Sequence, residues 1–224
     1  MTFCKSIDHA GRIRVKTNHA ALIAFVSTAL LAGCATVHVQ MPAPAQIAAP
    51  SGAPGGPQVG VAPARDSRSS NDAGALGIKG APLPLGTDVE VGSDLGAYVT
   101  GALAQGLAAQ KFAVVTVSDP TQPHPSGQPA FGGKTVVATI QSASLNTADA
   151  IMFAADCAVS FAAQVYDPSG TVVYAQTYSG QNSEHLGAHG VGGYEVSAGQ
   201  VLAKAADRAV ASALEDPKFI QALR

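Results

Sequence analysis

Residues 159–178 read Val159-Ser160-Phe161-Ala162-Ala163-Gln164-Val165-Tyr166, then Asp167-Pro168-Ser169-Gly170, then Thr171-Val172-Val173-Tyr174-Ala175-Gln176-Thr177-Tyr178. Apolar and polar residues alternate on both sides of a segment with the composition of a turn, which predicts a β-hairpin. Pairing Tyr166 with Thr171 sets Val165 opposite Val172, Ala163 opposite Tyr174 and Val159 opposite Tyr178. With Phe161 these residues share one face, expected in a core. Ser160, Ala162, Gln164, Thr171 and Thr177 share the other, expected in solvent. Cys157 has the parity of Val159 and belongs with the core.

Working back from the hairpin, Lys134 to Leu145 alternates as a strand, with Val136, Ala138 and Ile140 on one side and Thr135, Thr139 and Gln141 on the other. Ser118 to Gly133 contains Pro120, Pro123, Pro125 and Pro129 and reads as a surface loop. Phe112 to Val117 is a β-branched run, a buried strand. Residues 94–110 carry Leu95, Val99, Ala102, Leu103 and Gly106 at helical spacing after Ser93 and Asp94, which supply a cap and a first-turn acid. The small residues Gly101, Ala104, Gly106 and Ala108 imply close packing of this helix on a sheet. Upstream, Val59 and Val61 lead a first strand into Ala64-Arg65-Asp66, and residues 67–86 form a long excursion with a short strand near Leu76–Ile78.

Beyond the hairpin, a Gly-rich loop precedes a helix over Tyr194–Glu215. Its buried stripe is Ala198, Val201, Leu202, Ala205, Ala209 and Ala213. Asp216-Pro217 then restarts the chain as a short terminal helix, Asp as cap and Pro at the first position. The order is β-α-β-β-β-β-α: an α+β fold in which about five strands form a mainly antiparallel sheet with two helices on one face.

The chain has 224 residues, 47% of them hydrophobic and 12% charged, with a net charge of −2. That length supports a substantial core, and the balanced charge supplies no basic field for nucleic acid. Three cysteines are too few for a disulfide scaffold.

The N-terminus carries an address. Lys5, Arg12, Arg14 and Lys16 precede an uncharged apolar run, Ala20 to Leu31, which ends in small residues. Basic, apolar and small-residue regions in that order make a signal peptide, here residues 1–33. The run is short of the roughly 20 residues of a permanent span. Leu31-Ala32-Gly33-Cys34 resembles the lipobox of bacterial lipoproteins, in which the Cys thiol takes a diacylglycerol and becomes the mature first residue. That resemblance implies a lipid bilayer as partner, through acylated Cys34. Ala35, in place of an Asp, implies by the same resemblance the periplasmic face of the outer membrane.

Four of the 13 basic and one of the 15 acidic residues precede Cys34, so the mature chain would carry about −5. This disfavours electrostatic attachment to anionic lipid and leaves the acyl chains to hold the protein. Residues 34–56 have no charge and include Pro42, Pro44, Pro50 and Pro54. They read as a tether, roughly 25 Å long as a coil and about 70 Å as polyproline. Residues 57–224 read as a single periplasmic domain.

The lipobox, the Ala64-Arg65-Asp66-Ser67-Arg68 stretch, the helix ending Leu107-Ala108-Ala109-Gln110-Lys111-Phe112, the Tyr166–Gly170 hairpin, the Tyr178-Ser179-Gly180 exit and the terminal Asp216-Pro217-Lys218-Phe219-Ile220 together resemble the YajG-type family of bacterial lipoproteins. The resemblance spans most of residues 57–224. It implies an envelope lipoprotein domain without catalytic residues. The long insertions at 67–86 and 118–133 and the Gly-rich loop at 187–193 depart from the family's pattern.

Candidate chemistry is sparse. His185 and His189 lie four apart and, with Glu184 or Glu195, are weak candidates for a metal site; Gly187, Gly190, Gly192 and Gly193 argue against the helix that this spacing needs. The same glycines precede a helix, as in a phosphate loop, but Tyr194-Glu195 replaces the required Lys-Ser/Thr. No Gly-x-Ser-x-Gly elbow occurs. Asp149 and Asp156 flank an apolar patch, in which Ile151, Met152 and Phe153 are the candidate contact for a partner or lipid, or else a core strand.

The expectation is a non-enzymatic, cofactor-free lipoprotein that binds another envelope protein. One alternative is an auxiliary lipoprotein of a transport or secretion assembly, oligomeric through an open sheet edge. Another is a metal-binding protein or enzyme using His185 and His189.

Overall fold

The computed structural model describes residues 37–39, 41–43, 56–68, 89–91, 95–121, 131–148, 154–185 and 191–224. All belong to the larger of two compact units, Thr36–Arg224. In chain order the elements are β1 (Val37–Val39), β2 (Gln58–Val61), β3 (Arg65–Asp66), β4 (Val89–Val91), α1 (Leu95–Ala109), β5 (Ala113–Thr116), β6 (Lys134–Ala148), β7 (Ala154–Tyr166), β8 (Val172–His185), α2 (Val191–Glu215) and α3 (Pro217–Leu223).

The architecture is α+β, as the alternation and helical stripes require, but the sheet is mixed. Its six strands run β5-β2-β6-β7-β8, with β3 continuing beside β6 past the end of β2. Strand β2 is parallel to both β5 and β6, and β3 is parallel to β6. Only β6–β7 and β7–β8 are antiparallel. This corrects the expected, mainly antiparallel sheet of five strands. Parallel neighbours need a long crossover connection, usually through a helix, and the chain between β2 and β5 includes α1. A separate two-stranded parallel ribbon joins β1 to β4.

Helices α1 and α2 cover one sheet face. Val99, Leu103 and Leu107 of α1 and Val201, Leu202, Ala205 and Ala209 of α2 meet Val59, Val136, Ile140, Leu145, Val159, Phe161 and Val165 in one core cluster. All six residues of the expected α2 stripe are buried. The helix begins at Val191 rather than Tyr194, so Gly192 and Gly193 lie inside it. Gly106 of α1 makes room for a helix rather than for the sheet: a Cβ there would stand 2.1 Å from Leu214 Cδ1 of α2. Val137, Ala62 and Tyr166 form a small second cluster.

The β7–β8 hairpin forms, with its register two residues from the expected one. Val165 faces Tyr174 and Phe161 faces Tyr178. The turn is larger than the pairing of Tyr166 with Thr171 allows. Gly170 takes φ +82°, Gly170 N donates to Asp167 O at 2.9 Å and Asp167 N to Thr171 O at 2.9 Å. This is a turn closed by a left-handed glycine. The Asp167 carboxylate also accepts from Ser169 N and Thr171 N, both at 2.9 Å. A shift of two preserves face parity, so Val159, Phe161, Ala163 and Val165 are buried as expected. Val172, expected in the core, is 43% exposed. It sits where the register slips between Val165 and Tyr166. Strand β8 also runs on to His185, through residues read as loop.

Candidate functional site

At the far end of the β6–β7–β8 meander, where Ala158 pairs with Ser144 and Gln181 and Cys157 with Asn182, Ser144, Asp156, Cys157, Ala158, Gln181, Asn182 and Ser183 line a cleft of about 500 Å³ together with Arg208 of α2. Cys157 is 2% exposed, on the core face as its parity requires. Burial, with Asp156 and Glu184 nearby, pushes its thiol pKa up to about 12. A thiol so shifted is a packing residue, because nucleophilic cysteines need a lowered pKa and access. Native protein should therefore react with iodoacetamide at Cys157 at least about a hundredfold more slowly than unfolded protein, read by mass of the alkylated peptide. Rapid native labelling would contradict the burial.

Asn182 is 4% exposed beside Cys157 and donates to Glu184 Oε1 at 3.1 Å. Lys204 of α2 binds the same oxygen at 2.6 Å. The Lys204 and Asn182 hydrogen bonds hold the Glu184 carboxyl below its ordinary range. Glu184, a candidate third metal ligand, is thus engaged by a cation. His185 ends β8 in an exposed position, so its spacing to His189 is not that of one helix. Among the described residues no group of three metal-ligating side chains occurs. Arg208 donates to Gln181 O at 2.5 Å.

Two further polar clusters are structural. Arg65 donates its Nε to Asp119 Oδ2 at 2.5 Å, and its terminal nitrogen reaches both Asp119 Oδ1 and Thr121 Oγ1. This bidentate pair fixes the start of the Pro-rich loop to β3. Asp119 is partly buried, which opposes ionisation, yet the Arg65 and Thr121 hydrogen bonds keep its carboxyl below the ordinary range. Around Ala64-Arg65-Asp66-Ser67-Arg68, Ala64 N donates to Thr100 Oγ1 at 2.8 Å, Ser67 Oγ to Ile140 O at 2.7 Å and Arg68 Nε to Asp66 Oδ1 at 2.9 Å. The segment acts as a clasp between α1 and β6.

At the other end of β8, Tyr174 and Tyr178 both donate to Asp216 Oδ2, at 2.6 and 2.8 Å. Asp216 Oδ1 accepts from Lys218 N at 2.8 Å and so caps α3, as its Asp-Pro start requires. Phe219 of α3 stacks within 5.8 Å of Tyr174 and 6.1 Å of Tyr178 between ring centroids. The two tyrosine hydroxyls, then the Lys218 amide, lower the Asp216 pKa from 3.8 to about 2. A folded-state pKa below the unfolded one contributes stability that is present above about pH 4 and lost as pH falls through about 2. Asp216→Asn should flatten the acid limb of the stability–pH curve in that window, read by urea unfolding between pH 2 and 5. An unchanged limb would remove Asp216 from the acid response.

Leu31, Ala32, Gly33, Cys34, Asp149, Ile151, Met152, Phe153 and His189 lie outside the described residues. The cleft residues Asn182 and Arg208 escaped sequence reading. Asn182 shares the inward parity of Tyr178 and could have been found by extending the alternation. Arg208 gave no signal, because its partner is a backbone carbonyl on another element.

The described unit is thus an α+β domain with a mixed sheet and helices on one face. No protein-family model and no curated protein matches the chain. Among solved structures it is similar to protein XCC0632 from Xanthomonas campestris, of family model DUF330, at 11% identity and TM-score 0.44 over 80% of this chain and 94% of that one. A PelC dodecamer from Paraburkholderia phytofirmans matches at 14% identity and TM-score 0.36, over 67% of this chain and 88% of that one. A minor lipoprotein from Acinetobacter baumannii matches at 9% identity and TM-score 0.36, over 69% and 87% respectively. Likenesses of this strength carry neither a family nor a function over to this chain.

Proposed function

We propose that this protein is a non-enzymatic lipoprotein of the bacterial envelope, akin to the YajG-type group. In this reading it is acylated at Cys34, held at the periplasmic face of the outer membrane, and works by binding another envelope protein. The observation that carries the reading is Leu31-Ala32-Gly33-Cys34 placed directly after a basic and then apolar N-terminal region. Two positive features of the fold support it. The described thiol is buried and driven toward its protonated form, and the Glu184 carboxylate is paired with Lys204 at 2.6 Å. Confinement to a membrane surface raises the effective concentration of such a domain near membrane partners.

Strand β8 favours the second reading, an auxiliary subunit of a transport or secretion assembly. It closes one side of the sheet order and has no charged residue from Val172 to Ser183, so it lacks the charges that usually protect an outer strand from pairing.

Mass spectrometry of mature protein should show N-terminal Cys34 carrying added acyl mass. In-cell crosslinking should then capture an envelope protein. Unmodified Cys34 in mature material would overturn the anchoring, and bound metal lost on His185→Ala would overturn the non-enzymatic reading.

A further inference from the structure

The uncharged stretch 34–56 has the composition of a spacer, yet the structure ties it into the domain at both ends. Val37–Val39 pairs residue for residue with Val89–Val91, in parallel, and the ribbon lies against α2. Met41, two residues past β1, is 7% exposed and belongs to the main core cluster. Val91 stands four residues before Leu95, the buried first residue of α1. Both strands are thus followed within four residues by a buried core residue, Met41 after β1 and Leu95 after β4. At the other end of the stretch, the chain enters β2, whose Val59 is fully buried.

We infer that the Pro/Ala-rich segment between Met41 and Gly56 does not tether the domain, because the chain has already joined it at β1 and Met41, and that the acylated domain rests directly against the lipid headgroups. The inference depends on Cys34 being the acylated residue. Between Cys34 and β1 only Ala35 and Thr36 remain. Three steps of 3.8 Å place Val37 within about 11 Å of Cys34, against the roughly 25 Å or more of a free 22-residue tether. The partner of this end of the domain is therefore the bilayer surface itself.

The test uses the full acylated chain in vesicles with acceptor-labelled headgroups and a donor on Ser212→Cys, an exposed α2 position. A 12-residue Gly/Ser insertion between Thr36 and Val37 adds roughly 20 Å of reach and should lower energy transfer about twofold or more. The same insertion between Ala48 and Ala49 should leave it unchanged. A fall with the second insertion, or no fall with the first, would overturn the inference. Acyl mass on Cys34 is checked first, so loss of the anchor is read separately. In that event Cys34→Ser protein carrying Val37→Cys and Val89→Cys decides the ribbon alone. An intramolecular disulfide at this register supports the attachment at β1, and its absence under oxidation overturns it.

Discussion

Gly180→Ala should destabilise the domain by about 3 kcal/mol and lower its Tm by roughly 6–12 °C. A Cβ at Gly180 would stand 2.1 Å from Ala205 O and 2.4 Å from Ala209 N, with Arg208 Cβ at 2.9 Å. The two nearest atoms are helix backbone, so no rotamer change relieves the overlap. The whole of α2 must lift from β8. That movement would loosen the packing around Tyr178 and Val201, both in the core cluster. Gly132→Ala is the matched control, because nothing lies within 4 Å of a Cβ there. Differential scanning calorimetry of the two variants checks the claim. Equal melting temperatures would mean that the helix and sheet do not approach as closely as described.

Cys34→Ser should move the protein almost completely from the membrane pellet to the soluble fraction. Each buried CH₂ of an acyl chain contributes about 0.8 kcal/mol, so two or three chains make release negligible, and losing all of them removes the whole term. The net charge of about −5 on the mature chain gives no electrostatic substitute at an anionic surface. The melting temperature of the released domain should match that of detergent-extracted wild type, since Cys34 precedes the Thr36–Arg224 unit. Fractionation of the variant with the membranes, as for wild type, would show that something other than Cys34 holds the protein.

Local periodicity carried much of the fold. The α2 stripe, the Asp216-Pro217 restart and the burial of Cys157 are all properties of one element or one turn, and each was legible. Direction was not. Alternation along β2 and β6 is the same whether the strands run parallel or antiparallel, and only the intervening α1 encodes the crossover. Hairpin register was legible modulo two. The side chain of Asp167 and the left-handed Gly170 lengthen the turn, and the faces survive the shift while Val172 does not. The β1–β4 ribbon left no trace, since strands of three residues have no measurable period and pair across fifty positions of chain. Of the candidate site, Cys157 was placed correctly. Asn182 was within reach of the same parity argument, and the Arg65–Asp119 clasp was not, because its two halves sit on opposite sides of α1.

The mixed topology also orders the way the chain assembles. Asp167–Thr171 closes the β7–β8 hairpin locally, whereas the parallel pairing brings Val59 to Lys134. Loop-closure entropy makes the second contact costlier by about 2 kcal/mol. The antiparallel meander is then expected to form first, with the N-terminal half condensing on it and opening before it. Amide hydrogen exchange should be faster in β2 and β5 than in the middle of β7. Under the proposed export, in which the chain enters its compartment N-terminus first, the strands that emerge early would wait for those that emerge last.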